Sequence, residues 1–142
     1  KSSPDGIKDG MDICLCKINV ENRTVEYAGA NNPLYIIRKN DDFEAIKPNK
    51  QPIGQFSHRV PFNTTKIQLA PKDSIYLFTD GFADQFGGDN GKKLKYKPFK
   101  HELISANDRD LSDQVAILDK FFENWKGDYE QVDDVCVIGI RL

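Results

Sequence analysis

The sequence predicts an α+β fold, antiparallel β-sheets flanked by helices, and three observations predict it. Short alternating or apolar runs broken by turn residues fill residues 11–78, two stretches with apolar spacings of three and four follow, and a last apolar run closes the chain. Strands first, helices after and one closing strand pack helices on an antiparallel sheet. At 142 residues, 39% hydrophobic and 30% charged, the chain fits a single domain, 1–142, with a real core.

The elements follow in order. Residues 1–8, polar with Pro4 and Gly6, read as a loop. Residues 11–20 alternate as a strand with Ile13, Leu15 and Ile18 inward, and Glu21-Asn22-Arg23 turns into a strand over 24–28. Gly29-Ala30-Asn31-Asn32-Pro33 breaks the ladder, because Pro33 has no N–H to donate and Asn accepts unusual backbone angles. Residues 34–38 resume as a strand, Asn40-Asp41-Asp42 turns, and 43–46 return as a strand. Residues 48–59 are irregular and include Pro52-Ile53-Gly54; 64–69 form a short strand, and 70–73 turn into 74–78. The unbroken Ile75-Tyr76-Leu77-Phe78 suits a strand buried on both faces.

Residues 82–97 carry three glycines and several charges and read as a long loop; within it Asp84, Gly87 and Gly88 are candidates for a mobile flap. Pro98 suits the first residue of a helix to about 106. Leu111, Val115, Leu118, Phe122 and Trp125 make the apolar stripe of a helix over 111–125, stopped by Gly127. Residues 135–141 supply the final strand.

Composition excludes several classes. A net charge of −2 leaves no electrostatic footprint for nucleic acid or an anionic membrane. No stretch approaches the ~20 apolar residues of a transmembrane helix, and no basic-then-apolar leader opens the chain. Lys1 in place of Met reads as the start of an excised piece. Cys14, Cys16 and Cys136 form no disulfide framework and no metal-binding pairs; we read them as small core hydrophobes in a reducing, cytoplasmic setting. His58 and His101 have no Ser or Cys partner at recognisable spacing and receive no role.

The chemistry-bearing residues are acids at strand ends. Asp80 closes the 74–78 run and is followed by Gly81, which lets the backbone turn and a ligand come close. Asp133-Asp134 opens the last run. The simpler reading is turn chemistry, with Asp80 a cap and the pair solvated. The functional reading is that the strands are neighbours and their carboxylates converge on one or two divalent cations. Carboxylates without a Cys or His set suit Mg²⁺ or Mn²⁺ rather than zinc.

Four segments in this order, Ala28-Gly29-Ala30-Asn31-Asn32-Pro33, Pro52-Ile53-Gly54, Phe78-Thr79-Asp80-Gly81 and Asp133-Asp134-Val135-Cys136-Val137, resemble the second part of a stage II sporulation protein E-like phosphatase domain of the metal-dependent protein phosphatase 2C (PPM) superfamily. The resemblance runs from about residue 9 to 142. Asp84-Gln85-Phe86-Gly87-Gly88 and Gln131-Val132-Asp133-Asp134 resemble a subgroup found as output domains of bacterial signalling proteins.

That resemblance implies an α-β-β-α sandwich, incomplete here on its N-terminal side, and hydrolysis of phosphoserine or phosphothreonine in a protein. It implies Asp80 and Asp133 as metal ligands, Gly81 and Asp134 as further ligands or their support, and no catalytic residue beyond the metal ligands. Two Mn²⁺ or Mg²⁺ ions are implied for the complete domain, together with a sensor or regulatory domain upstream and a phosphoprotein substrate of the anti-sigma-factor antagonist kind. The family shows His where this chain has Ala30. Its early Asp-x-x-Gly-His-Gly motif has no match, so the fragment alone is expected to bind metal weakly and to be weakly active or inactive. Two alternatives stand beside the enzyme: a catalytically silent phosphatase-like interaction module in a sigma-factor regulatory pathway, and another metal-dependent phosphoester hydrolase using Asp80 and Asp133.

Overall fold

The computed structural model describes residues 10–54 and 60–142. Eight strands come first: β1 (Gly10–Met11), β2 (Ile13–Asn19), β3 (Thr24–Ala30), β4 (Leu34–Ile37), β5 (Phe43–Ile46), β6 (Ile53–Gly54), β7 (Thr65–Gln68) and β8 (Ser74–Phe78). Then follow α1 (Gly81–Asp84), β9 (Phe86–Gly87), β10 (Lys92–Lys93), α2 (Tyr96–Ser105), α3 (Leu111–Lys126) and β11 (Val137–Arg141). The loop reading at residues 1–8, part of the irregular 48–59 stretch, and His58 lie outside the described residues.

Among the described residues the named strands pair antiparallel, and two isolated bridges, Ile13 with Asn31 and Ala30 with Asn49, are parallel. A four-stranded sheet in the order β11-β8-β4-β5 backs onto a three-stranded sheet, β2-β3-β7; β1 pairs with β6 and β9 with β10. Successive residues of a strand face opposite ways, so β4 and β8 build two cores at once. Tyr35, Ile37, Tyr76 and Phe78 pack under α2 and α3 with Phe99, Leu103, Leu118 and Phe122. Leu34, Ile36 and Ile75 pack toward the other sheet with Val25, Tyr27, Ile67 and Leu69. The layers are therefore helices, sheet, sheet. The expected α+β fold of antiparallel sheets packed with helices is the one observed, and of the implied α-β-β-α sandwich one helical layer and both sheets are present among the described residues.

Several element-level expectations are corrected. In β2 the inward face carries Cys14, Cys16 and Ile18, whereas Leu15 is 60% exposed. The reason is register: Cys16 opposes buried Tyr27 and Ile18 opposes buried Val25, while Ile13 and Leu15 oppose Ala30 and Ala28 on the other face. Cys14 and Cys16 are half-buried, but Cys136 is exposed and is not a core residue. β3 runs to Ala30, and the break comes at Asn31, held at φ 57°.

Residues 82–97 are not a long loop. They contain α1, the β9–β10 hairpin and the start of α2, which opens at Tyr96 rather than Pro98. Pro98 is accommodated as the third helical residue, because a first-turn N–H has no partner inside the helix. In α3, Val115 is 68% exposed and Gln114 takes the inward place. Its amide donates to the Ala106 carbonyl at 2.9 Å and accepts the Tyr76 hydroxyl at 2.8 Å, which is how a polar side chain is kept inside. β11 begins at Val137 rather than 135, because the residues just before it bond to Thr79 instead of extending the strand ladder. No described helix is long and apolar enough to cross a membrane.

Candidate metal centre

β8 and β11 are hydrogen-bonded neighbours with Phe78 opposite Val137, so the chain leaving β8 and the chain entering β11 meet at one end of the sheet. Thr79 fastens them. Its N–H donates to the Cys136 carbonyl at 3.0 Å, its hydroxyl donates to the Asp134 carbonyl at 2.8 Å, and the same hydroxyl accepts the Cys136 N–H at 2.9 Å. Asp80 comes next on one strand, and Asp133 and Asp134 precede the other. The expected adjacency of the two acid-bearing strands is observed.

Asp80 is exposed and occupies the N-cap position of α1 at φ −73°, ψ −17°, yet its side chain makes no capping bond. Its carboxylate therefore does not cap α1, and it makes no hydrogen bond or ion pair among the described residues. Asp133 Oδ1 accepts the N–H of Asp134 at 2.7 Å, and the Asp133 carbonyl accepts Gln131 Nε2 at 2.8 Å. One carboxylate oxygen is thus used to shape the loop. The Asp134 carboxylate makes no hydrogen bond among the described residues. Gly81 lies between the acids: a Cβ there would run into the Asp134 carbonyl oxygen. Without a Cβ, Gly81 lets the two segments approach. Among the described residues no group of three or more His, Cys, Asp or Glu is gathered around one point. Carboxylate oxygens are the donor type that a hard divalent cation takes.

Of the flap candidates, Asp84 ends α1, the helix that follows Asp80. Asp84 Oδ2 is paired with Lys93 Nζ at 2.8 Å. Gly87 and Gly88 lie on Trp125: the Gly88 N–H donates to the Trp125 carbonyl at 2.9 Å, and a Cβ on Gly87 would run into that carbonyl oxygen. Close packing is therefore a sufficient reason for both glycines. Burial pushes the Tyr96 phenol above its ordinary range, and the nearby charges of Asp80 and Asp84 push it the same way. The 28–33 segment reaches the same end, since β4 opens where β8 closes. There Asn31 Nδ2 donates to Asp12 Oδ1 at 2.8 Å. His101 is exposed on α2.

Thr79 and Gln85 are structural contributors that the motif reading did not single out. Thr79 stands inside the Phe-Thr-Asp-Gly motif, where a hydroxyl next to a strand-end acid is a usable signal. Gln85 is fully buried, and its Nε2 donates to the Phe86 carbonyl at 3.0 Å and the Glu130 carbonyl at 2.8 Å. A partner 45 residues away leaves no local trace in a sequence.

The stage II sporulation protein E (SpoIIE) family model matches residues 5–142. No curated protein sequence matches the chain. Among solved structures it is similar to the SiaA-PP2C domain of Pseudomonas aeruginosa, at 26% identity and a TM-score of 0.84, covering 92% of this chain and 51% of that one. It is also similar to the manganese-presoaked phosphatase domain of SpoIIE from Bacillus subtilis, at 17% identity and a TM-score of 0.67, covering 92% and 56%. RsbX in complex with magnesium matches at 14% identity and a TM-score of 0.64, covering 92% and 55%. The last two likenesses show the fold alone. The chain spans about half the length of these structures.

Proposed function

Because the chain belongs to the stage II sporulation protein E family, we propose that it forms the C-terminal part of a metal-dependent protein serine/threonine phosphatase, the output domain of a bacterial signalling protein. The observation that carries the reading is the convergence of Asp80 and Asp133-Asp134 at one end of β8 and β11, with the Asp80 carboxylate unused by the helix it precedes. Asp80 and Asp133 would hold Mn²⁺ or Mg²⁺, with Asp134 and Gly81 supporting them. When bound, such cations supply an activated water and offset the charge of the phosphate. The residues of this chain do the holding and aiming: Thr79 locks the two strand ends together, and Gly81 keeps the space between them narrow. The substrate would be a phosphoserine- or phosphothreonine-bearing protein, and a sensor or regulatory domain would stand upstream. The rival reading, an interaction module without catalysis, draws its support from the Asp133 carboxylate that is already engaged by its own loop.

The test uses the full-length protein. Mn²⁺ affinity is measured by titration calorimetry, and turnover is measured on a phosphoserine peptide. Asp80→Asn and Asp133→Asn should each lower turnover by at least ~100-fold, the scale of losing even a supporting metal partner. Raised Mn²⁺ should restore part of it, and Asp134→Asn should be milder. Small, equal effects at all three positions would return the acids to turn chemistry and favour the interaction module.

A further inference from the structure

Residues 92–100 hold five lysines and no acid. Two are committed within the fold: Lys93 to Asp84 at 2.8 Å, and Lys100 with its Nζ 3.8 Å from the centre of the Phe43 ring. Lys92, Lys95 and Lys97 are exposed and make no ion pair among the described residues.

Lys95 is the anomaly. Its backbone lies at φ 69°, ψ 164°, a region that is nearly glycine's own. It persists because the Lys95 N–H is held by the Ala83 carbonyl at 2.7 Å. The residue also precedes α2 without a capping bond, where a cation meets the positive end of the helix. Glycine would relieve both strains. Neither the backbone conformation nor the helix end favours a lysine at this position.

Its position supplies a reason. Ala83, which holds Lys95, lies in α1, whose first residue Gly81 follows Asp80, and the ring of Tyr96 packs 6.2 Å from that of Phe78, the last residue of β8. Lys95 therefore stands at the acid end of the sheet. Of Asp80, Asp84, Asp133 and Asp134, only Asp84 has an ion-pair partner among the described residues. An acidic protein segment approaching that end is repelled unless free cations flank it.

We propose that Lys95, with Lys92 and Lys97, forms a cationic rim that receives the acidic stretch beside the phosphorylated residue of the protein substrate. The inference rests on the phosphatase reading and adds to it the charge class of the substrate. A long, flexible ammonium side chain suits a partner of variable sequence, since it acts as a point charge without a fixed bidentate geometry.

The test compares the full-length protein with its Lys95→Gly and Lys95→Arg variants. The probes are two fluorescein-labelled phosphoserine peptides, one with acidic flanks and one with neutral flanks, read by anisotropy at low ionic strength. Lys95→Gly should bind the acidic peptide about 10-fold more weakly, bind the neutral one unchanged, and melt at a higher temperature than the parent. Lys95→Arg should keep the affinity. With Mn²⁺, the glycine variant should show a raised KM for the acidic peptide with kcat unchanged, and unaltered hydrolysis of p-nitrophenyl phosphate. Equal binding of the acidic peptide by parent and glycine variant overturns the rim, as does stronger attachment to phosphatidylserine vesicles than to the peptide. Failure of the phosphatase reading has a different signature: neither phosphoester is hydrolysed with Mn²⁺, while Lys95-dependent peptide binding persists and upholds the rim as a binding surface.

Discussion

Gln85 shows how much of the acid end depends on one amide. Its side chain donates to the Glu130 carbonyl, and its main-chain carbonyl accepts both Trp125 Nε1 at 3.0 Å and the Leu94 N–H at 3.0 Å. It thus joins the segment after Asp80 to the segment that leads into Asp133. Gln85→Leu should cost about 0.5–1.5 kcal/mol, the net scale of a hydrogen bond lost to the part-buried Phe86 and Glu130 carbonyls. Urea unfolding would show it, and a midpoint equal to that of the parent would sink the idea. The neighbouring glycines allow a sharper contrast. Gly87→Ala must push the Trp125 carbonyl aside, so its expected result is a lowered melting temperature; lost turnover at unchanged stability would instead support a moving flap. Asp80, Gly81 and Asp133 were legible because each stands at the end of an apolar run. Gln85 was not, because its partners are set by tertiary contact.

At the scale of elements, the turn into β8 is held by a buried acid far from the candidate metal centre. Asp73 is 2% exposed, and its carboxylate accepts Arg38 Nη1 at 2.9 Å, the Ala70 N–H at 2.8 Å and the Lys39 N–H at 3.1 Å. Burial opposes its charge, but Arg38 and the two backbone donors outweigh burial and hold its pKa below the ordinary carboxylate range. A depressed folded-state pKa contributes stability that is present above the unfolded value, ~3.9, and is lost as pH falls through the folded value. Stability should therefore decline below about pH 4, and Asp73→Asn should flatten that part of the profile. Removing the charge also leaves Arg38 without this buried partner, a loss on the order of 3 kcal/mol at neutral pH. An unchanged acid limb in the variant would remove Asp73 from the account. Strand and turn positions at this level were largely readable, since Arg23, Asp41 and Lys72 stand at positive φ inside the expected turns. The facing of β2 was not. Alternation gives two equivalent faces, and only pairing with Tyr27 and Val25 decides between them.

At the scale of the molecule, one broad surface is left uncovered by the described residues. Helices cover one side of the four-stranded sheet, and the three-stranded sheet covers the other, but the outer side of the three-stranded sheet has no layer of its own among the described residues. Ile13, Leu15, Ala28, Ala30, Ile53 and Phe62 line an apolar hollow there of about 170 Å³. Met11, Leu15, Val60 and Phe62 are all more than 40% exposed. An apolar face of this kind on a sheet is ordinarily covered in a stable protein. A two-sheet sandwich with helices on one side, spanning about half of the structures it resembles, has room for one more layer on that face. Leu15→Glu separates the cases because its sign depends on the cover. In residues 1–142 expressed alone it should reduce self-association and the binding of a hydrophobic dye. In the full-length protein it should destabilise, by several kcal/mol, because a carboxylate would be forced beneath a packed layer. The same small effect in both would mean that the face is open to water in the complete protein as well, and that the sandwich has no fourth layer.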